Sequence, residues 1–156
     1  MFTNNHRKPG AGFQRGFTLV ELIMVMVIVG ILAVFVAPRF FDANVFKSRG
    51  FADQVKASLR YAQKAAIAQH RFICAAFTGN SVTLSIGATA ACGTPLQSPT
   101  GDASYVITAP AGIVFAAVPT NFSFDALGKP TSAPQTISIT GATNSITIEA
   151  ETGYVH

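Results

Sequence analysis

The chain has 156 residues, 49% hydrophobic and only 12% charged, with a mean hydropathy of +0.40. Soluble domains carry roughly 25% charged residues, so this composition excludes a disordered chain and argues against a freely soluble cytosolic enzyme. The length suits one domain of ordinary size, and the net charge of +4 bears on partners only through its placement. Arg7, Lys8 and Arg15 are basic and precede an apolar run. Residues 39–71 hold seven basic and two acidic side chains, whereas 72–156 hold Lys129 against Asp102, Asp125, Glu149 and Glu151. Between Arg15 and Arg39 the only charge is Glu21.

The first predicted element is a helix. Residues 22–37, LIMVMVIVGILAVFVA, lack any polar side chain, and Phe17–Ala37 is 21 residues long. At about 1.5 Å per residue this spans about 31 Å, matching a bilayer core of ~30 Å. A secretory signal peptide fits poorly, because the run is long, no small-residue cleavage site follows it, and Glu21 interrupts it. A plain anchor leaves Glu21 without a reason, since a carboxylate in hydrocarbon is costly and is functional by default. Snorkelling to the interface is the structural alternative for Glu21. Basic residues flank the run on both sides, so charge alone does not orient it.

From Arg39 the helical signal continues in amphipathic form, with Phe41, Val45, Ala52, Val55, Leu59, Ala62 and Ala66 on one face and Lys56, Arg60 and Lys64 on another. It ends near His70–Arg71. Pro38 lacks an amide and is expected to kink the helix one turn upstream. The basic stripe reads as a solvated face, and no aromatic interleaving or nucleic-acid motif accompanies it. Beyond Arg71 the composition shifts to Thr, Ser, Gly, Val and Ile. Short runs at 72–77, 82–86, 105–109, 112–118, 121–124, 136–140 and 145–150 predict up to seven strands, with 72–77 alternatively the helix end. The expectation is an α+β fold: a long N-terminal helix packed on a small antiparallel β domain of two sheets.

Arg15-Gly16-Phe17, with Glu21 at the fifth position after Gly16, a long apolar helix next, and Pro38 as the twenty-second residue counted from Phe17, resembles the processing site of type IV prepilins and type II secretion pseudopilins. The resemblance implies a cleaved leader at 1–16, a transmembrane half-helix at 17–38, an amphipathic helix at 39–71 and a periplasmic β domain at 72–156. It implies cleavage between Gly16 and Phe17 by a prepilin peptidase, which also methylates the new Phe17 amine. Its further partners are other pilin or pseudopilin subunits and an inner-membrane assembly platform, with the leader in the cytoplasm. Glu21 then serves assembly, by meeting the Phe17 amine of a neighbouring subunit.

FSFDALGKPTS (122–132), TISITGATNSITIEAETGYV (136–155) and SLRYAQKAAIAQHR (58–71) are similar to the GspH/FimT-like group of minor pilins and pseudopilins. DNA-binding members are expected to be basic near the C-terminus. Here Glu149, Glu151, Tyr154, Val155 and His156 stand there, so nucleic acid is not an expected partner. Cys74 and Cys92 are two unrelated buried thiols or, in an exported domain, a disulfide. The disulfide is the expectation, and closing that loop would contribute about 3 kcal/mol.

No cofactor, metal or catalytic residue is expected, since His6, His70 and His156 lack ligand spacing and no nucleophile or phosphate-loop motif occurs. The leading functional reading is a structural subunit of a filament, at its tip or priming complex, and not an enzyme. The alternative is a membrane-anchored periplasmic binding module for DNA, a secreted substrate or a host surface ligand. Without residues 1–16, eight basic and seven acidic side chains remain.

Overall fold

Thr18 starts the first element. Its hydroxyl accepts a hydrogen bond from the Glu21 amide at 3.2 Å, satisfying one of the free N–H groups at a helix start. The helix that follows, α1, runs Leu19–Gln69. A computed structural model describes residues 16–132 and 135–156. Within α1 the side chains of 34–43 lie outside the described residues, and with them the kink expected at Pro38. Two compact units divide between Arg39 and Phe40.

In the first unit the apolar side chains from Leu19 to Leu32 are all exposed. Among the described residues no helix is long and apolar enough to cross a membrane. The sequence run continues to Ala37, beyond the last described side chain of this stretch, Ala33.

In the second unit α1 buries Phe51, Ala52, Val55, Leu59, Ala62, Ala65 and Ala66, a stripe of helical period. Each fully buried Val or Leu in it stabilises by about 1.5–3 kcal/mol. Two serines share the face. The buried Ser48 and Ser58 hydroxyls donate to the carbonyls of Val45 (2.9 Å) and Val55 (2.8 Å), so neither is unsatisfied.

The helix ends at His70, which has a φ of 49°. The His70 amide donates to the Ile67 carbonyl and the Arg71 amide to the Ala66 carbonyl, the bond pair of a Schellman motif. A histidine in this left-handed position is strained relative to glycine. His70→Gly is therefore expected to raise stability by about 0.5–1 kcal/mol, after allowing for glycine's larger unfolded-state entropy. A higher urea midpoint at unchanged slope is the check; a lower midpoint would refute the assignment.

Seven strands follow among the described residues: β1 Phe72–Phe77, β2 Ser81–Gly87, β3 Thr94–Pro95, β4 Tyr105–Thr108, β5 Phe122–Phe124, β6 Gln135–Ile137 and β7 Ile146–Ile148. All pairings are antiparallel. β1 and β2 form a hairpin in the register Ile73↔Ile86 and Ala75↔Leu84. β5 lies on the far side of β1, and β3 and β4 share the outer edge of β2. β6 and β7 make a second, two-stranded sheet. The architecture is α+β with two antiparallel sheets.

Alternation places Ile73, Ala75 and Phe77 of β1, and Val82, Leu84 and Ile86 of β2, in one core with the helix stripe. Four aromatic contacts run through it: Phe51–Phe115, Phe115–Phe77, Phe77–Phe122 and Phe122–Phe124, at 5.2–6.1 Å between ring centres. Residues 72–77 are strand, not helix end. The stretch 112–118 is not a strand. Its bonds go to different partners, Phe115 to the Gly79 carbonyl and Ala116 to the Ser138 carbonyl, while the Thr140 amide reaches Val114. The segment thus joins the two sheets around Phe115 instead of lying in either ladder.

Candidate processing and assembly site

Gly16, Phe17 and Thr18 precede α1 and have no regular secondary structure. Phe17 is 81% exposed, so the Gly16–Phe17 bond lies in accessible, non-helical chain, the form a peptidase needs. A Cβ added at Gly16 would meet nothing within 4 Å among the described residues. Packing against the described residues therefore does not require a glycine there. Gly16, Phe17, Thr18 and Glu21 border one open hollow of about 420 Å³, a nearness that follows from their standing within six consecutive residues.

Thr18 is the residue that sequence reasoning overlooked, although its signal was present. Thr18-Leu-Val-Glu21 has the spacing of a capping box, and the threonine half is formed. Glu21 thus occupies the first turn of α1, where a carboxylate also complements the helix dipole.

Cys74 and Cys92 are joined by a disulfide with a Cα–Cα distance of 6.0 Å. It ties β1 to the loop after β2. In the loop between β3 and β4, the Thr100 and Ser98 hydroxyls donate to Asp102 at 2.7 and 2.9 Å and hold its carboxyl below the usual carboxylate range. Asp125 is a turn former: its Oδ1 accepts from the Leu127 and Lys129 amides at 2.9 and 2.8 Å. Among the described residues no three His, Cys, Asp or Glu side chains gather where a metal could be held.

The C-terminal phrases singled out in the sequence converge on α1. The Gln63 side-chain amide donates to the carbonyls of Gly128 (3.2 Å) and Thr152 (2.9 Å). The Arg60 Nε donates to the Val155 carbonyl at 2.9 Å. Val155 is fully buried and bridges to Ile148, while Thr147 and His156 exchange backbone bonds. The final residues therefore extend the small sheet and clamp it to the helix. Lys129 and Glu151 pair across the outside at 2.9 Å. This contact lowers the Glu151 pKa and raises that of Lys129.

Comparison with curated proteins and with solved structures returns no match for this chain. Residues 13–37 match the family described as the prokaryotic N-terminal methylation motif. That segment contains the exposed Gly16–Phe17 bond, the Thr18 cap and Glu21, and it gives this chain a type IV prepilin-like processing signal.

Proposed function

We propose that the chain is a minor pilin or pseudopilin. In this reading it is cut between Gly16 and Phe17, methylated on the Phe17 amine and assembled through α1 into a type IV pilus or type II secretion pseudopilus. The observation that carries the reading is the methylation motif over 13–37, set at a non-helical, exposed Gly16–Phe17 bond. A long helix leading into a small antiparallel β domain supports a pilin-like fold. Phe17–Ala37 anchors the precursor in the inner membrane, with the leader in the cytoplasm and the β domain in the periplasm. The exposed apolar side chains of Leu19–Leu32 support that anchor. The phrases at 58–71, 122–132 and 136–155 are what support the GspH/FimT-like group within the family, and a minor pilin of the mannose-sensitive haemagglutinin pilus is one member they resemble.

The test is co-expression with a prepilin peptidase followed by N-terminal mass analysis. An N-methylated Phe17 terminus is expected for the native sequence. Gly16→Val should retain the leader almost completely, because a branched side chain at the cut blocks the peptidase, and a Cβ at that position meets no described atom of the chain itself. Efficient processing of Gly16→Val, or a different new terminus, would overturn the proposal.

A further inference from the structure

One charged face remains after the contacts made inside the chain are accounted for. On α1, Arg49, Lys56, Arg60 and Lys64 fall within about 80° of arc at 3.6 residues per turn, with Asp53 among them. The arc faces away from the buried line of Val55, Leu59, Ala62 and Ala66. Among the described residues the ion pairs are Lys129–Glu151 and His156–Glu149, so none of the four helix cations is paired with a carboxylate. Arg60 is held through Nε by the Val155 carbonyl, which leaves the two terminal nitrogens of its guanidinium to donate elsewhere. With Lys64, Gln63, Tyr154 and Val155 it lines a hollow of about 340 Å³.

We propose that this face docks the acidic face of a helix on a different subunit, with one partner carboxylate entering the hollow between Arg60 and Lys64. The inference rests on the filament-subunit reading above and names its neighbour's chemistry. Cations four residues apart stand about 6 Å apart along the axis, which matches Asp or Glu at the same spacing on a partner helix. A second copy of this chain does not carry carboxylates at that spacing. Its Asp102 and Asp125 carboxylates are engaged within their own loops, Glu149 and Glu151 are ion-paired, and the α1 acids Glu21, Asp42 and Asp53 stand eleven or more residues apart. Duplex nucleic acid fits less well, because the exposed Glu149 and Glu151 side chains lie on the same C-terminal hairpin as Tyr154 and would oppose phosphates.

The test places a photo-crosslinking residue at Ala57, an exposed position beside the cations on α1, in the full chain in cells that assemble the filament. Adducts are expected with a different polypeptide, at a helical segment carrying carboxylates every fourth residue. Arg49→Glu with Lys56→Glu should cut the yield at least tenfold. Exchanging the partner's carboxylates for lysine should restore it. Arg60 is left unchanged because it holds the C-terminal strand. Adducts only with a second copy, only with nucleic acid, or unaffected by the charge reversal would each overturn the docking. The N-terminus is read in the same sample. A processed, methylated chain without the acidic adduct refutes the docking alone, whereas an unprocessed chain refutes the reading beneath it.

Discussion

Gly153→Ala is expected to destabilise the second unit by about 4 kcal/mol, a loss that a conservative surface substitution does not produce. Gly153 has a φ of 67°, a conformation that costs a side-chain-bearing residue about 1–2 kcal/mol. The space is also closed. A Cβ there would overlap the Gly128 carbonyl oxygen and stand 2.8 Å from the Gln63 side-chain nitrogen. Neither neighbour is free to yield. The Gly128 carbonyl is already an acceptor for Gln63, and Gly128 itself has a φ of 81° with Ile67 2.7 Å from where its own Cβ would sit.

Relief therefore requires the hairpin 146–156 to lift from α1. That would break the Gln63 bond to Thr152 and the Arg60 bond to Val155, and it would expose Val155. Overpacking of this kind adds about 1–3 kcal/mol to the backbone cost. The measurement is denaturant unfolding of the full chain in detergent, with Glu151→Ala as a neighbouring control. The Lys129–Glu151 pair is exposed, so its loss should change little. A Gly153→Ala loss below about 1 kcal/mol would show that the two turns are not the rigid clamp described here.

This clamp illustrates what a single sequence can carry. The phrases around Gly128 and Gly153 stood out, yet nothing local to Gln63 marked it, because it lies in the Ala-rich run YAQKAAIAQ as an ordinary helix-forming amide. Its role exists only once two distant turns reach it. By contrast, the buried face of α1 was legible from Ala52 to Ala66 because helical periodicity is a local property. Phe51 is absent from that apolar series, although its ring packs at 5.4 Å on Phe115.

The strand Ser81–Gly87, with its alternating burial, was readable for the same local reason, whereas Phe72–Phe77 stayed open between strand and helix end because it follows α1 directly. β3 was not, being Thr94–Pro95 alone, in a stretch whose proline discourages a strand assignment. The run GIVFAAV is not a strand, because only Ile113 and Phe115 of it enter the core and its backbone bonds are split between Gly79 and the 138–140 segment. At the processing site, Gly16, Phe17 and Glu21 were legible from their register with the apolar run. The cap at Thr18 was equally present in the sequence but was overshadowed by the carboxylate three residues later.

Glu21→Ala is expected to leave membrane insertion and cleavage largely intact and to lower incorporation into the filament about a hundred-fold. Cleavage creates an α-amine at Phe17, roughly one helical turn from Glu21 along the axis. Neither charge is comfortable alone in hydrocarbon, where a central charged group costs about 2.5–3.5 kcal/mol. On the proposed reading, the amine of one subunit would meet the Glu21 carboxylate of its neighbour in a staggered bundle, and the register that pairs them would be the one that assembles. Removing the carboxylate strands the neighbour's amine. At about 1.4 kcal/mol per factor of ten, that penalty corresponds to the expected loss.

The Thr18 cap makes a sharper experiment possible. Glu21 occupies the third position of the helix, where either Glu or Gln completes a capping box. Glu21→Gln therefore keeps the capping geometry and removes only the charge. If ion pairing governs assembly, Glu21→Gln falls as far as Glu21→Ala when filament content is compared by pull-down with the major subunit. If Glu21→Gln assembles normally and Glu21→Ala does not, the residue works by capping α1, and the intersubunit pair is wrong. Thr18→Val completes the separation. It deletes the hydroxyl that accepts the Glu21 amide while leaving the carboxylate in place, so it should cost about 1 kcal/mol of helix-end stability yet retain most of the incorporation.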